Sequence, residues 1–116
     1  MNILLALLTA SASLHVTVWP HGRDGAARTW TLRCAPAGGT LPRPARACAK
    51  LSLLTRPFAP VPRNVACTQI YGGPAVAVVT GSFEERRVRA VFNRTNGCEI
   101  ARWNRLRFLF PVTVSG

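Results

Sequence analysis

Apolar and polar residues alternate along five stretches of the chain, and this pattern predicts β-strands. In the first stretch Leu14, Val16 and Val18 fall on one side, and the residues between them are polar. A period of two residues is typical of a strand with one buried face. The predicted strands cover residues 14–18, 28–34, 75–80, 83–92 and 106–110. Gly81 and Ser82 separate the third from the fourth and predict a hairpin turn.

One stretch has the spacing of a helix instead. Ala47, Leu51 and Leu54 recur at intervals of three or four residues, and Pro44 precedes them at a position where the first turn of a helix tolerates a missing N–H. Three prolines between residues 57 and 62 predict a stiff surface loop after this helix. We therefore predict an α+β fold, in which a five-stranded antiparallel sheet carries one or two helices on one face.

The beginning of the chain has features of a secretory signal. Residues 3–8 are apolar, and Ala10-Ser11-Ala12 follows as an Ala-x-Ala cleavage site. We predict a signal segment at residues 1–12, whose true start lies upstream, and a single domain at residues 13–116 in a secreted, extracellular protein. An ordinary N-terminal strand is the alternative. The apolar run is too short to span a bilayer, so no membrane partner is predicted.

Four cysteines are the main source of candidate chemistry: Cys34, Cys48, Cys67 and Cys98. In a secreted protein such cysteines predict two disulfides, but four cysteines allow three pairings and the residues alone do not choose among them. Zinc binding is the rival interpretation. There is no Cys-x-x-Cys, and both histidines lie far along the chain from any pair of cysteines, so we predict no metal and no cofactor.

The net charge of +11 raises the question of an anionic partner. The basic residues are scattered along the chain, and they do not combine with aromatic residues into a platform on which bases could stack. We therefore predict no nucleic-acid partner. The sequence also lacks Gly-x-Ser-x-Gly and His-Glu-x-x-His, and its four acidic residues make paired-carboxylate catalysis a poor hypothesis. The chain is not expected to be an enzyme.

A series of short motifs is similar, in order, to one known family. The motifs are Thr31-Leu32-Arg33-Cys34-Ala35-Pro36, Gly39-Thr40, Ala47-Cys48-Ala49, Cys67 with Tyr71, Arg87-Val88, Phe92, Asn96-Gly97-Cys98-Glu99, and Phe108 with Phe110. On these residues the chain resembles the Streptomyces subtilisin inhibitor family over nearly all of residues 13–116. The resemblance implies the disulfides Cys34–Cys48 and Cys67–Cys98, a homodimer formed through the sheets, and inhibition of subtilisin-like serine proteases outside the cell.

The resemblance also implies a reactive site. In that family the scissile bond follows the second residue after the third cysteine, which places it here between Gln69 and Ile70. Gln69 would enter the primary specificity pocket of the protease. The residues that flank the bond in the loop are Ala66, Cys67, Thr68 and Tyr71. Thr68 stands where the family usually has proline, and Asn96 matches an asparagine that supports the loop from beneath.

Two alternatives stay open at this point. Gln69 and Ile70 could be ordinary loop residues of a chain that has lost inhibition, which would make the protein a basic secreted binding module for anionic partners. Asn96 could cap a turn, as asparagine before glycine often does. A loop held by a disulfide favours the inhibitor, because a protease inhibitor needs one fixed backbone conformation in its loop.

Overall fold

The computed structural model describes residues 10–114, and within them four strands form one antiparallel sheet. The elements are β1 (Ala12–Trp19), β2 (Arg28–Cys34), α1 (Pro44–Leu53), β3 (Val76–Phe83), β4 (Arg86–Phe92), α2 (Gly97–Arg105) and a 3-10 helix (Arg107–Leu109). The order of the strands in the sheet is β2-β1-β3-β4. The predicted antiparallel sheet with helices and two disulfides is confirmed, but the prediction of five strands is wrong.

The buried side of the sheet follows the alternation seen in the sequence. Leu14, Val16 and Val18 of β1 are buried, and they join the inward side chains of the other strands in a single apolar cluster with both helices. Helix α1 packs against β2 and helix α2 against β4. The cluster extends beyond α2, where the ring of Phe110 lies 5.3 Å from that of Phe92. Packing on one face of the sheet leaves an outward face that is mostly polar and basic.

The strand predicted at residues 106–110 is absent because the burial there has the period of a helix. Trp103, Leu106 and Phe110 are buried, and so is Leu109, whereas Phe108 is only half-buried. Spacings of three and four residues place side chains on one side of a helix. The alternation of Leu106, Phe108 and Phe110 indicated a strand, but this segment forms the 3-10 helix after α2 and closes the core.

The hairpin turn predicted at Gly81 and Ser82 is also wrong. Strand β3 continues past both residues, and the turn lies at Glu84 and Glu85, whose φ angles are 51° and 66°. Two residues with positive φ form the tight hairpin turn whose twist matches that of the strands. Gly81 has φ 126° and lies so close to β1 that a Cβ there would collide with the carbonyl oxygen of Ser13. Gly81 therefore allows β1 and β3 to approach closely, and it does not form the turn.

The predicted first helix is confirmed, with Pro44 in its first turn. Its buried residues are Ala47, Cys48 and Leu51. The disulfide between Cys48 and Cys34 joins this helix to the end of β2, with 5.6 Å between the Cα atoms. In the chain-entropy model, closing a loop of this length stabilises the fold by about 3 kcal/mol. The covalent bond therefore reinforces the same contact that the apolar side of the helix makes.

Part of the predicted signal segment lies in the described chain. Ala10 donates its N–H to Ser52 Oγ at 3.0 Å, the carbonyl of Ser11 accepts from Glu84 N at 2.8 Å, and Ala12 begins β1. Residues 1–9 lie outside the described residues, so the division at residue 12 stays a prediction. Within residues 10–114, neither helix combines the length and the apolar character that crossing a membrane requires.

Candidate functional site

The predicted reactive site lies in the long connection between α1 and β3. The residues from 62 to 71 have no helix or strand, and all except Cys67 are exposed. The exposed fractions of Ile70 and Tyr71 are 60% and 65%, which is high for large apolar side chains. The chain returns to the interior at Gly72 and Gly73, which are buried. Residues 66–71 therefore project from the domain, and we call them the exposed loop.

The first attachment of the exposed loop is to the N-terminal turn of α2. The Cys67–Cys98 disulfide makes this link, with 5.3 Å between its Cα atoms. Beside it, Gly97 N donates to the carbonyl of Thr68 at 3.0 Å. A Cβ on residue 97 would collide with Thr68 Oγ1, so the threonine packs against a position that only glycine leaves open. Thr68 lacks the fixed φ of proline, and these contacts restrain it in another way.

The second attachment is made by Arg94, which the sequence did not single out. Gly72 N donates to the carbonyl of Arg94 at 2.7 Å, and Arg94 Nε donates to the carbonyl of Gly72 at 3.1 Å. The same guanidinium donates through Nη1 to Asn104 Oδ1 at 3.2 Å and lies 5.7 Å from the ring centre of Trp103. Arg94 thus joins Gly72, at the far end of the exposed loop, to the segment that follows β4 and to helix α2.

The Gln69–Ile70 bond lies between these two attachments. Thr68 is bonded on one side and Gly72 on the other, and within residues 10–114 no hydrogen bond involves Gln69, Ile70 or Tyr71. Their backbone N–H and carbonyl groups are therefore open to a second molecule. A short exposed segment held at both ends can be approached without first being ordered, which reduces the entropy lost on binding.

Asn96 begins helix α2. Its side-chain oxygen accepts from Glu99 N at 3.0 Å, which is the hydrogen bond of a helix N-cap. The hydrogen bond beneath the exposed loop comes instead from the backbone of the next residue, Gly97. The support predicted for the side chain of Asn96 therefore stays a prediction. Asparagine followed three residues later by glutamate is a helix-start signal, and it could have revealed α2 in the sequence.

Arg102 holds the segment that leads to the exposed loop. Its Nε donates to the carbonyl of Ala59 at 2.9 Å, its Nη1 donates to the carbonyl of Val91 at 2.6 Å, and its guanidinium lies 3.9 Å from the ring centre of Phe92. Glu99 Oε1 is 3.6 Å away, an ion pair longer than a hydrogen bond. Burial lowers the pKa of Arg102, and Glu99 partly offsets this. Helix α2 thus fixes both the approach to the exposed loop and the edge of β4.

No three His, Cys, Asp or Glu side chains come together in residues 10–114 in a way that could hold a metal ion. The four cysteines form the two disulfides that the resemblance implies, so none is a free thiol. The arrangement that remains is an exposed peptide segment with its backbone fixed at both ends.

Comparison with known proteins gives one family. The profile of the family described as subtilisin inhibitor-like matches residues 10–96. Subtilisin inhibitor-like protein 1 of Streptomyces cacaoi is 38% identical over 80 residues, which cover 65% of this chain and 72% of that protein. Subtilisin inhibitor-like protein 5 of Streptomyces fradiae is 38% identical over 76 residues, which cover 63% of this chain and 70% of that protein.

A solved structure is similar over most of the chain. In the crystal structure of Streptomyces caespitosus sermetstatin in complex with Bacillus licheniformis subtilisin, one chain matches with a TM-score of 0.55 and 25% identity. The match covers 87% of this chain and 98% of that chain. The profile and the relatives describe inhibitors and not enzymes, so the prediction that this protein is not an enzyme is confirmed along with the resemblance. The chain belongs to the subtilisin inhibitor-like family.

Proposed function

We propose that this protein inhibits subtilisin-like serine proteases by presenting the Gln69–Ile70 bond to the active site as a substrate would. The observation that carries the proposal is the pair of attachments at Thr68 and Gly72, which hold the exposed loop on either side of that bond. Family membership and the similarity to an inhibitor solved in complex with subtilisin support protease inhibition itself. The loop mechanism rests on the geometry and on the resemblance.

In this mechanism the loop enters the protease cleft in an extended form. The carbonyl of Gln69 meets the nucleophilic serine and the oxyanion hole, as the scissile carbonyl of a substrate does. If the bond is cut, the Cys67–Cys98 disulfide holds one new end and the hydrogen bonds between Gly72 and Arg94 hold the other. The two ends remain adjacent, so resealing competes with release. Complexes of this type bury about 1,600 Å² and can be very tight.

The side chain of Gln69 would set the choice of protease. Glutamine is uncharged and moderately long, so it suits a broad pocket of the subtilisin type. It offers no cation to the buried aspartate of a trypsin pocket. Ala66, which is small, would face the shallower pocket upstream. We therefore infer that subtilisin is inhibited well and trypsin poorly.

The test compares the wild type, two variants of Gln69 and a control variant of Ile70 against both proteases. Gln69→Gly should weaken inhibition of subtilisin and leave the Tm almost unchanged, because the Gln69 side chain is exposed. Gln69→Lys should gain inhibition of trypsin by about 30-fold or more, since a buried charge pair is worth about 2–5 kcal/mol. Mass spectrometry of the inhibited complex should find any clipped bond between Gln69 and Ile70.

The lysine variant gives the sharper result, because a gain of trypsin inhibition cannot arise from misfolding. Ile70→Lys is the matched control, with the same charge at the neighbouring exposed position, and it should gain little. Equal inhibition of subtilisin by the wild type and Gln69→Gly, or an equal gain of trypsin inhibition at both positions, would show that the wrong bond was chosen.

We also propose that the protein is secreted and forms a homodimer through the outward face of its sheet. An Ala-x-Ala sequence follows the apolar run at residues 3–8, as in secretory signals. On the outward face, Val78 of β3 pairs with Val91 of β4, and Val91 is 47% exposed. An apolar pair at that position favours contact with a second sheet. N-terminal sequencing of protein recovered from culture medium tests the secretion.

A further inference from the structure

A basic surface lies on helix α1 and the segment that follows α2. Arg43, Arg46 and Lys50 occupy successive turns at the start and along the side of α1. Arg105 and Arg107 face them from the end of α2 and the 3-10 helix. These five exposed cations line two adjoining concavities, of about 330 and 590 Å³, and no acidic residue lines either one. We call this surface the basic groove.

The cations of the basic groove are not neutralised within the described part of the molecule. Across residues 10–114 one ion pair is present, between Arg102 and Glu99, and neither residue belongs to the groove. Arg105 donates to the carbonyl of Thr55, and Arg107 Nη2 donates to Asn104 Oδ1 at 3.0 Å. Both partners are uncharged, so the full positive charge remains. Like charges held close together repel one another, and an anionic ligand would relieve that repulsion.

The groove also has an apolar floor. Leu53 is 84% exposed, and Leu54 and Phe108 lie beside it. The ring of Phe108 is already covered on one side by Lys50 Nζ, which lies 5.5 Å from its centre. No other aromatic side chain lines either concavity, so the groove lacks the series of rings on which successive nucleic-acid bases stack.

Helix α1 and the exposed loop are tied to opposite ends of the sheet, whereas the α2 side of the basic groove comes close to the far attachment of the loop, because Asn104 Oδ1 accepts from both Arg94 and Arg107. The Cys34–Cys48 disulfide ties α1 to the end of β2 that pairs with Ala12. The exposed loop leads into β3, whose first residue, Val76, pairs with Trp19 at the other end of β1. A strand of eight residues separates these ends by about 24 Å. A ligand along α1 would therefore lie nearer the Ala12 end of the sheet than the exposed loop does.

We propose that the basic groove binds a linear phosphodiester polymer without aromatic bases, of the poly(alditol phosphate) type. Four of the five cations are arginines, whose planar guanidinium matches the geometry of phosphate. A row of cations along α1 suits a repeating anion, and the exposed leucine suits the carbon chain between phosphates. The absence of a stacking surface separates this ligand from a nucleic acid. The site would hold the protein on a polyanion through the side chains of α1 and of the segment after α2.

The experiment measures binding of a fluorescent poly(glycerol phosphate) as salt is raised. The test variant carries Arg43→Gln, Arg46→Gln, Lys50→Gln and Arg107→Gln. The matched control carries Arg23→Gln, Arg86→Gln, Arg87→Gln and Arg89→Gln, which removes the same charge from other exposed positions. We expect the test variant to bind about tenfold more weakly or worse. The slope of log K against log salt should also become less steep by about 3, because four phosphate contacts are lost and each contributes about 0.7.

Three results would overturn the proposal. Equal losses in the test variant and the matched control would mean that net charge, and not the basic groove, governs binding. Binding of single-stranded DNA or poly(glutamate) as tight as that of poly(glycerol phosphate) would reject the assigned ligand. Hydrogen exchange measured on the wild-type protein with and without the polymer gives a test that does not depend on whether the variants fold. The polymer should protect residues 43–54 and 104–108, and protection of β4 instead would refute the site.

Discussion

Replacing Arg94 tests whether the far attachment of the exposed loop matters for inhibition. Arg94→Met keeps the length and apolar body of the side chain but removes every guanidinium contact. The bond from Nε to the carbonyl of Gly72 is lost, and so is the bond from Nη1 to Asn104 Oδ1. The backbone bond from Gly72 N to the carbonyl of Arg94 remains possible. The substitution should therefore loosen the loop without detaching it.

The size of the effect follows from the bonds removed. Arg94 is half-buried, so each of its two side-chain hydrogen bonds should contribute about 0.5–1.5 kcal/mol. The free energy of unfolding should fall by about 1–3 kcal/mol, which for a domain of this size lowers the Tm by roughly 4–12 °C. If about 1.4 kcal/mol of that loss is the cost of reordering the loop on binding, the inhibition constant rises about tenfold.

The assay follows inhibition and cleavage together. Subtilisin is titrated with each form of the protein, and the rate at which the Gln69–Ile70 bond is cut is read by mass spectrometry. Arg89→Met is the matched control, because Arg89 is exposed on β4 and its loss changes the net charge equally. Arg94→Lys separates charge from geometry, since lysine keeps the charge but cannot donate two directed bonds from one plane.

We expect Arg94→Met to raise both the inhibition constant and the rate of cleavage, Arg94→Lys to lie between it and the wild type, and Arg89→Met to change neither. A melting temperature that falls while inhibition and cleavage stay at wild-type values would refute the reasoning. In that case the bonds of Arg94 would stabilise the domain without ordering its loop.

Two further predictions concern the disulfide and the dimer. Replacing Cys67 and Cys98 together by serine removes the loop disulfide and should convert the loop from an inhibitor into a substrate. Subtilisin should then cut the loop within minutes of mixing, while circular dichroism still shows a folded sheet. Continued resistance to cleavage would contradict the role of rigidity. Dimerisation should strengthen as salt is added, because subunits of charge +11 repel one another at low ionic strength. Sedimentation equilibrium measures this, and Val91→Glu, placed on the proposed interface, should keep the protein monomeric at all salt concentrations.

The sequence correctly predicted the elements whose spacing of apolar residues fits only a strand or only a helix. Leu14, Val16 and Val18 alternate with polar residues, and all three are buried in β1. Pro44 and the spacing of Ala47 and Leu51 predicted α1 within one or two residues of its bounds. The disulfide pairing came from the resemblance, because four cysteines by themselves allow three pairings.

The tertiary structure decided the elements whose pattern was ambiguous. Leu106 and Phe110 lie four residues apart with Phe108 between them, so the same residues fit a strand or a helix. The core buries both residues at the two ends of a 3-10 helix, because Trp103 lies one turn before Leu106 and its ring packs at 4.8 Å against that of Phe110. The hairpin turn was likewise decided by pairing with β1, since the close approach of Ser13 requires a glycine within β3.

The sequence by itself determined the class of fold and the buried face of the sheet, and the resemblance indicated the exposed loop as the proposed reactive segment. The restraint on that segment was decided only in three dimensions. Arg94 is 22 residues from Gly72 along the chain, and Arg102 is 43 residues from Ala59. Each bonds a backbone carbonyl, a group that every residue carries, so no side-chain pattern marks the partner. The residue types along the chain determine short-range periodicity. Hydrogen bonds from a side chain to a distant backbone carbonyl form only after helix α2 has packed against the sheet.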